Sequence, residues 1–175
     1  MIIGLVGKIA SGKSYARKVI ANTGIYTIDV DDITHEFIRV YDREIAKEIF
    51  KNKKLLRKIK DIVTPTVIKR ITDAEIKYKF IVVEIPTIFF DLFQEHIDKI
   101  IYIGIDRTHQ IERLKQRNYN EDDIENRIKE HEKAESNFFK KYSYITRYYI
   151  NNEHSNPFIL YTRTLDILKC ISSET

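Results

Sequence analysis

Almost at once the chain commits its first strand to a loop. The apolar run Ile2-Ile3-Gly4-Leu5-Val6 leads into Gly7-Lys8-Ile9-Ala10-Ser11-Gly12-Lys13-Ser14, and three of the five glycines fall within the first twelve residues. The spacing is G-x-x-x-x-G-K-[ST], the P-loop pattern. Glycine tolerates backbone angles that turn successive N–H groups inward, which makes a concave nest for an anion. A helix opening directly after the loop adds the positive end of its dipole. Lys13 can reach the outer phosphates of a nucleoside triphosphate and the Ser14 hydroxyl can ligate Mg²⁺. The context the pattern requires is present: a strand of the buried type before it and a helical stretch after it. A plain glycine turn would not account for lysine and serine standing together at its end.

The rest of the chain agrees with a strand–loop–helix start. Strand-length apolar runs recur at 2–6, 25–28, 80–85, 99–105 and 148–150. The first, third and fourth are nearly continuous in Ile and Val, as in strands covered on both faces. Helical stretches separate them. One is expected over 13–22. A second, over 43–63, sets Ile45, Ile49, Leu56, Ile59 and Val63 at steps of three, four and seven. Thr108 can cap a helix over 109–117, and Asn120 can cap another whose first turn holds Glu121, Asp122 and Asp123. The last follows Pro157, near 158–171. Strands alternating with helices predict an α/β fold, a doubly wound parallel sheet of about five strands.

Composition sets bounds. The chain of 175 residues carries 30 basic and 26 acidic side chains, net +4, so any charge preference must be local. Residues 43–70 hold ten Lys/Arg against three Asp/Glu, which suits an anionic partner or a solvated helix face. Nothing there resembles a nucleic-acid recognition motif, so no nucleic-acid partner is expected. A single cysteine, Cys170, forbids an internal disulfide and fits a cytoplasmic location. No apolar run approaches the roughly 18 residues of a membrane span, and the apolar start reads as a strand rather than a signal peptide. The histidines (His35, His96, His109, His131, His154) show no metal-ligand spacing and are assigned nothing. A single domain is expected, as a monomer or weak homo-oligomer.

Ligands of such a sheet sit beyond the carboxyl ends of its strands. The second strand ends in Ile28-Asp29-Val30-Asp31-Asp32 and the third in Val83-Glu84-Ile85-Pro86, so both point acids at the loop. Asp31 could accept the proton of an acceptor hydroxyl, and Glu84 could hold Mg²⁺ through a water. Either Asp31 or Asp32 can instead cap the following helix. If Asp32 is the cap, Asp31 is left for chemistry. Arg113 and Arg117, four apart, share a helix face and suit a triphosphate whose charge shifts during transfer.

Taken in order, these pieces resemble the dephospho-CoA kinase family. The stretches that carry the likeness are GLVGKIASGKS, IDVDDITHEF, YDREIAKEIFKNKKLLRKIKDIVTP, VVEIPTIFF, IDKIIYIGIDRTHQIERLKQRN and YYINNEHS, which together cover nearly the whole chain. The resemblance implies a P-loop nucleotide-kinase core (1–31, 80–106 and 143–175), a small helical acceptor-binding lobe at about 32–79 and a helical lid at about 107–135. It implies ATP-dependent phosphorylation of the ribose 3′-hydroxyl of dephospho-CoA, with ATP and Mg²⁺ required. Asp31 would be the base, with Lys13, Arg113 and Arg117 the other catalytic groups. The nucleotide-binding set would run through Gly7, Lys8, Ile9, Ala10, Ser11, Gly12, Lys13, Ser14 and Tyr15, with Arg113 and Arg117, and with Asn151 or Asn152 near the adenine. Asp31, Arg43, Lys69, Glu84 and Pro86 would serve the acceptor, and Ser14 and Glu84 the metal.

The departures from the family pattern fall mainly on one side. Lys8 replaces the usual second glycine of the loop. Thr64 stands where the family has histidine, Ile68 where an arginine is expected, and Phe90 where a glutamate is expected, with Asp91 one residue later. The span from Asp31 to Pro65 is shorter than the family pattern. The donor side thus matches while the acceptor side has drifted. That leaves open a kinase for another small acceptor, such as a nucleoside or nucleotide, and a nucleotide-binding protein without turnover.

Overall fold

The computed structural model describes residues 1–39, 53–152 and 156–174. Strand β1 (Ile2–Gly7) runs through the centre of a five-stranded sheet, with β3 (Ile81–Glu84) on one side and β4 (Lys99–Gly104) on the other. Beyond them lie β2 (Tyr26–Asp29) and β5 (Arg147–Asn151), in the order β2-β3-β1-β4-β5. Every pairing is parallel. All five strands fall within a residue or two of the expected runs. The unbroken apolar character of β1 has a direct cause. Ile3 and Leu5 pack under one helical layer while Ile2 and Val6 pack under the other, so no position faces water.

Helices α1 (Lys13–Asn22) and α6 (Pro157–Ser173) cover the first face, through Ala16, Ile20, Leu160, Leu168 and Ile171. The other face is covered by α2 (Val30–Arg39), α3 (Lys53–Glu75), a 3-10 segment over Thr87–Leu92 and α5 (Glu121–Lys141). Between β4 and α5 runs the short α4 (Arg107–Gln116). Its end is marked by Asn118 at φ 63, the left-handed conformation in which asparagine closes a helix. Asn120 then caps α5 as expected, its side chain accepting from the Asp123 amide at 2.8 Å. This tight turn brings α5 back so that Ile124 and Ile128 pack with Leu114 against Ala10 of the glycine loop.

Two local expectations are corrected. The helix expected over 43–63 runs over Lys53–Glu75 in the described residues and continues through Pro65. Its buried seam is Val63, Val67, Ile71 and Ala74, so the packing drive of four apolar positions outweighs the amide that proline lacks. Ile45, Ile49 and the start of that stretch lie outside the described residues, and nothing is described of the side chains of Leu56 and Ile59. The second correction is the cap of α4. Asp106, not Thr108, accepts the His109 amide at 3.0 Å, and the helix starts at Arg107. A carboxylate there also meets the positive helix end. Asp106→Ala is therefore expected to lower the melting temperature, while Thr108→Ala leaves it nearly unchanged; equal losses in the two variants would refute the cap.

Candidate active site

The glycine loop is held from outside by its carbonyls. Gly7 O accepts from Thr87 Oγ1 at 3.0 Å and from Lys13 Nζ at 3.1 Å, and Lys8 O accepts from Lys13 Nζ at 2.8 Å. Ile9 O accepts from Gln110 at 2.9 Å, Ala10 O from Arg113 at 2.9 Å and Ser11 O from Asn152 at 2.7 Å. Gly12 O receives the first helical bond, from the Ala16 amide at 3.0 Å. Six consecutive carbonyls are thus bound to other groups, while the Lys8 amide donates to Ile103 O at 3.2 Å and the Ser11 amide to Lys8 O at 3.3 Å. Two glycines are obligatory for this path. A Cβ on Gly7 (φ +152) would lie 2.2 Å from Ile103 O. One on Gly12 (φ +100) would lie 2.8 Å from Leu160 Cδ2 and 3.0 Å from Asn152 Nδ2. Ala10 also takes a left-handed angle, φ 62. Lys8 does not, which is why it can replace a glycine; its side chain lines a groove of about 430 Å³ with Tyr102, Glu135, Tyr149 and Asn151.

Acids gather opposite the loop. Glu84, at the end of β3 and 3% exposed, accepts the Ser14 hydroxyl at 2.8 Å on one oxygen and Arg17 Nε at 2.9 Å on the other. Burial first, then the neighbouring Asp29, raises its pKa above the usual carboxylate value. Arg17 Nη2 reaches Asp29 at 2.8 Å, so one guanidinium joins α1 to the ends of β2 and β3. Asp29 in turn accepts the amides of Asp31 at 2.9 Å and Asp32 at 3.2 Å. It is therefore Asp29 that caps α2. Asp32, proposed as the cap, sits in the helix's first turn with Asp31. Both carboxylates are released from capping. Asp31 stays open to solvent on one side while protein crowds it on the others. Burial first, then Asp29, raises its pKa, opposed by Lys13 and His35. Burial pulls Lys13 below the ordinary lysine range, with Glu84 and Asp31 acting against it.

Most of the residues singled out in the sequence converge here. Glu84 and Asp31 lie near enough to act on the charge of Lys13, as does Arg117, the C-terminal cap of α4; Ser14 donates to Glu84 and Arg113 holds the loop. Arg113 and Asn152 brace the loop through its carbonyls in this conformation. Tyr15 is exposed on α1, and Pro86 precedes the 3-10 segment that delivers Thr87. Asn151 is on the groove wall beside Lys8. Lys69 is exposed on α3, and among the described residues no contact joins it to the cluster; Arg43 lies outside the described residues. Of the departures, Phe90 is wholly buried and meets Phe138 and Tyr142 edge-on. Asp91 binds Tyr142 and, at 3.0 Å, Lys141. Thr64 lines a cavity of about 10 Å³ with Val30, Thr34 and Phe89. Sequence reasoning missed Arg17 and Gln110. Arg17 was legible as a cation one turn after Lys13, on the helix that faces both acidic strand ends; Gln110 carried no signal.

A glycine loop closed by lysine and serine, set between the central strand of a parallel sheet and a helix and faced by acids at the neighbouring strand ends, is what the P-loop kinases have in common. Comparison narrows the class. The model of the dephospho-CoA kinase family matches residues 39–154, and the chain belongs to that family. The dephospho-CoA kinase of Fusobacterium nucleatum is 33% identical over 141 residues, covering 67% of this chain and 73% of the relative. That of Bdellovibrio bacteriovorus is 25% identical over 154 residues, covering 72% and 77%. Among solved structures, a dephospho-CoA kinase from Campylobacter jejuni superposes with a TM-score of 0.64 at 20% identity, covering 99% of this chain and 98% of that one. A shikimate kinase from Bacteroides thetaiotaomicron superposes at 0.67 and 13%, covering 98% of both; these two likenesses concern the fold.

The Arg17 bridge makes a prediction separate from catalysis. Arg17→Met leaves Glu84 and Asp29 buried without their cation and should lower unfolding stability by about 3 kcal/mol. Arg17→Lys, able to reach one carboxylate at a time, should recover part of that loss. Denaturant unfolding in which all three chains coincide would show the bridge to be idle.

Proposed function

We propose that the chain transfers the γ-phosphoryl group of ATP to the ribose 3′-hydroxyl of dephospho-CoA, with Asp31 receiving the proton of the attacking hydroxyl. The observation that carries this reading is that Asp29, not Asp31, caps α2, which leaves the Asp31 carboxylate beside the lysine of the phosphate loop, each acting on the other's charge. A site built only to hold a nucleotide has no need of a carboxylate released from capping beside the phosphate lysine. In this reading α2 and α3 form the acceptor side, and α4 and α5 form the lid.

The residues fit a magnesium ion carried in with the nucleotide. Mg²⁺ keeps several waters and takes one or two protein oxygens. Ser14 supplies a hydroxyl that donates to Glu84 and still presents a lone pair, and Glu84 supplies a carboxylate within reach of a bound water. When bound, the ion would neutralise charge on the outer phosphates. The chain's own groups do the rest. The loop amides hold the triphosphate, Lys13 turns from the carbonyls of Gly7 and Lys8 to the outer phosphates, and Arg113 and Arg117 follow charge as it moves to the leaving oxygen. Asp31 orients the hydroxyl and takes its proton.

A second reading, the same transfer to another small acceptor such as a nucleoside or nucleotide, is favoured by one feature. Where an acceptor glutamate is expected, Phe90 is sealed in the core. Initial rates of ATP consumption with dephospho-CoA, nucleosides and nucleoside monophosphates decide between the two, with turnover expected on dephospho-CoA. Lys13→Ala should lose several kcal/mol of transition-state stabilisation, seen in kcat. Asp31→Asn should cut kcat by about a hundredfold or more while ATP still binds. Because the folded chain holds the Asp31 proton more tightly than the unfolded one, that carboxylate favours folding at low pH and loses this contribution as pH rises through its raised pKa. Asp31→Asn should therefore not lower the melting temperature at neutral pH. The base must be ionised to work, so the kcat/KM profile should fall on the acid side at a pH above the ordinary aspartate value of about 3.9. A flat profile down to that value would remove Asp31 from the role.

A further inference from the structure

Helix α5 presents Ile124, Ile128, His131, Glu135 and Phe138 at steps of three and four, one stripe along one face. The two ends of the stripe are apolar and packed. Ile124 and Ile128 lie against Ala10 of the phosphate loop, and Phe138 lies against Phe90 and Tyr102. Two polar residues interrupt the middle. Glu135 is satisfied, accepting the hydroxyl of Tyr102. His131 is not: its Nδ1 is buried and, among the described residues, has no hydrogen-bond partner. A buried imidazole nitrogen left unbonded is a cost that an apolar side chain would avoid, so it asks for an absent partner.

The surroundings say what that partner is. His131 sits one turn beyond Ile128, which touches the loop, and the charges acting on its ring are those of Lys13 from α1 and Arg127 from α5. A cation would be repelled there. We propose that His131 is a lid contact for the triphosphate, its Nδ1–H donating to a phosphoryl oxygen of ATP; this rests on the phosphoryl-transfer reading above. Burial first, then Lys13 and Arg127, hold the ring down at about 4, so it is neutral at physiological pH and contributes a directed donor rather than a charge. Lys13 and Arg127 would supply the charge, and His131 would fix where the lid helix stops relative to the phosphates.

The test uses the full chain and Mg·ATP. Calorimetric titration should find His131→Leu binding about tenfold or more weakly than the native chain, the loss expected for a hydrogen bond to a charged oxygen. His131→Gln, which keeps a donor, should bind within about threefold of it. Without nucleotide, His131→Leu should melt no lower than the native chain, because it removes an unbonded polar atom. Native-strength ATP binding by His131→Leu would overturn the proposal and assign Nδ1 to a buried water. A native chain that ignores ATP would overturn the phosphoryl-transfer reading itself. If His131→Leu does not fold, nitrogen NMR of the native chain decides. The His131 ring resonance, identified by its loss in His131→Gln, must move when ATP is added, and a resonance that stays in place refutes the contact.

Discussion

The phosphate loop depends on where its carbonyls go. Backbone amides turn toward an anion at less cost when the oxygens opposite them are bound elsewhere, since a peptide group cannot leave either end unbonded cheaply when buried. Here the oxygens from Gly7 to Gly12 are taken by Thr87 beyond β3, by Gln110 and Arg113 on α4, by Asn152 after β5, and by Lys13 and Ala16 on α1. Four separate parts of the fold therefore meet at one loop. The sheet order explains how. With β1 between β3 and β4, the segments leaving both neighbours emerge beside the loop that leaves β1. Gly7 is confined by Ile103 of the adjoining strand, so the loop begins at a point set by strand pairing rather than by the ligand.

A second arrangement aligns the acids with this loop. Arg17 is one helical turn beyond Lys13, and its guanidinium binds the ends of β2 and β3 at once. That contact leaves one oxygen of Glu84 for Ser14 and one oxygen of Asp29 for the amides of Asp31 and Asp32. The position of Asp31 is thus relayed from α1 through Arg17 and Asp29. Lys13 and Asp31 do not collapse into one ion pair, and the charges between them, Glu84, Arg17 and Asp29, are already partnered. Burial raises the carboxylates and lowers the lysine, and the opposite charges nearby act against it in each case.

The parts that the sequence made legible are those fixed by short-range rules. Strand positions followed from runs of Ile and Val, and Gly7 and Gly12 from the spacing of the loop. The cap at Asn120 followed from a polar residue ahead of three acids. What escaped were competitions decided by packing at a distance. Asp29 rather than Asp32 capped α2 because Arg17 fixes its carboxylate at the strand end. Asp106 preceded Thr108 because β4 ends just before it. Pro65 did not stop α3 because Val63, Val67 and Ile71 all reach the core. Arg113, expected at the phosphates, also braces Ala10, a contact that no periodicity could disclose.

The uneven drift of the chain from its family has a physical basis. The donor site is made largely of main-chain amides, which are the same whatever side chains hang from them. Substitution is resisted only where conformation demands glycine, and Lys8, outside the left-handed region, shows how freely the loop varies elsewhere. An acceptor site has no such protection, since it would recognise a ligand through side chains, in the proposed reading those on α2, α3 and the segment after β3. There Phe90 has become core, Asp91 is engaged with α5, and Thr64 faces a small apolar cavity. In the proposed reading Asp31 joins the two regimes: its carboxylate would serve the acceptor while its backbone is held by Asp29 at the end of β2. A chain can lose acceptor contacts one at a time and keep this residue in place, so the geometry for transfer outlasts the side chains that select what receives the phosphate.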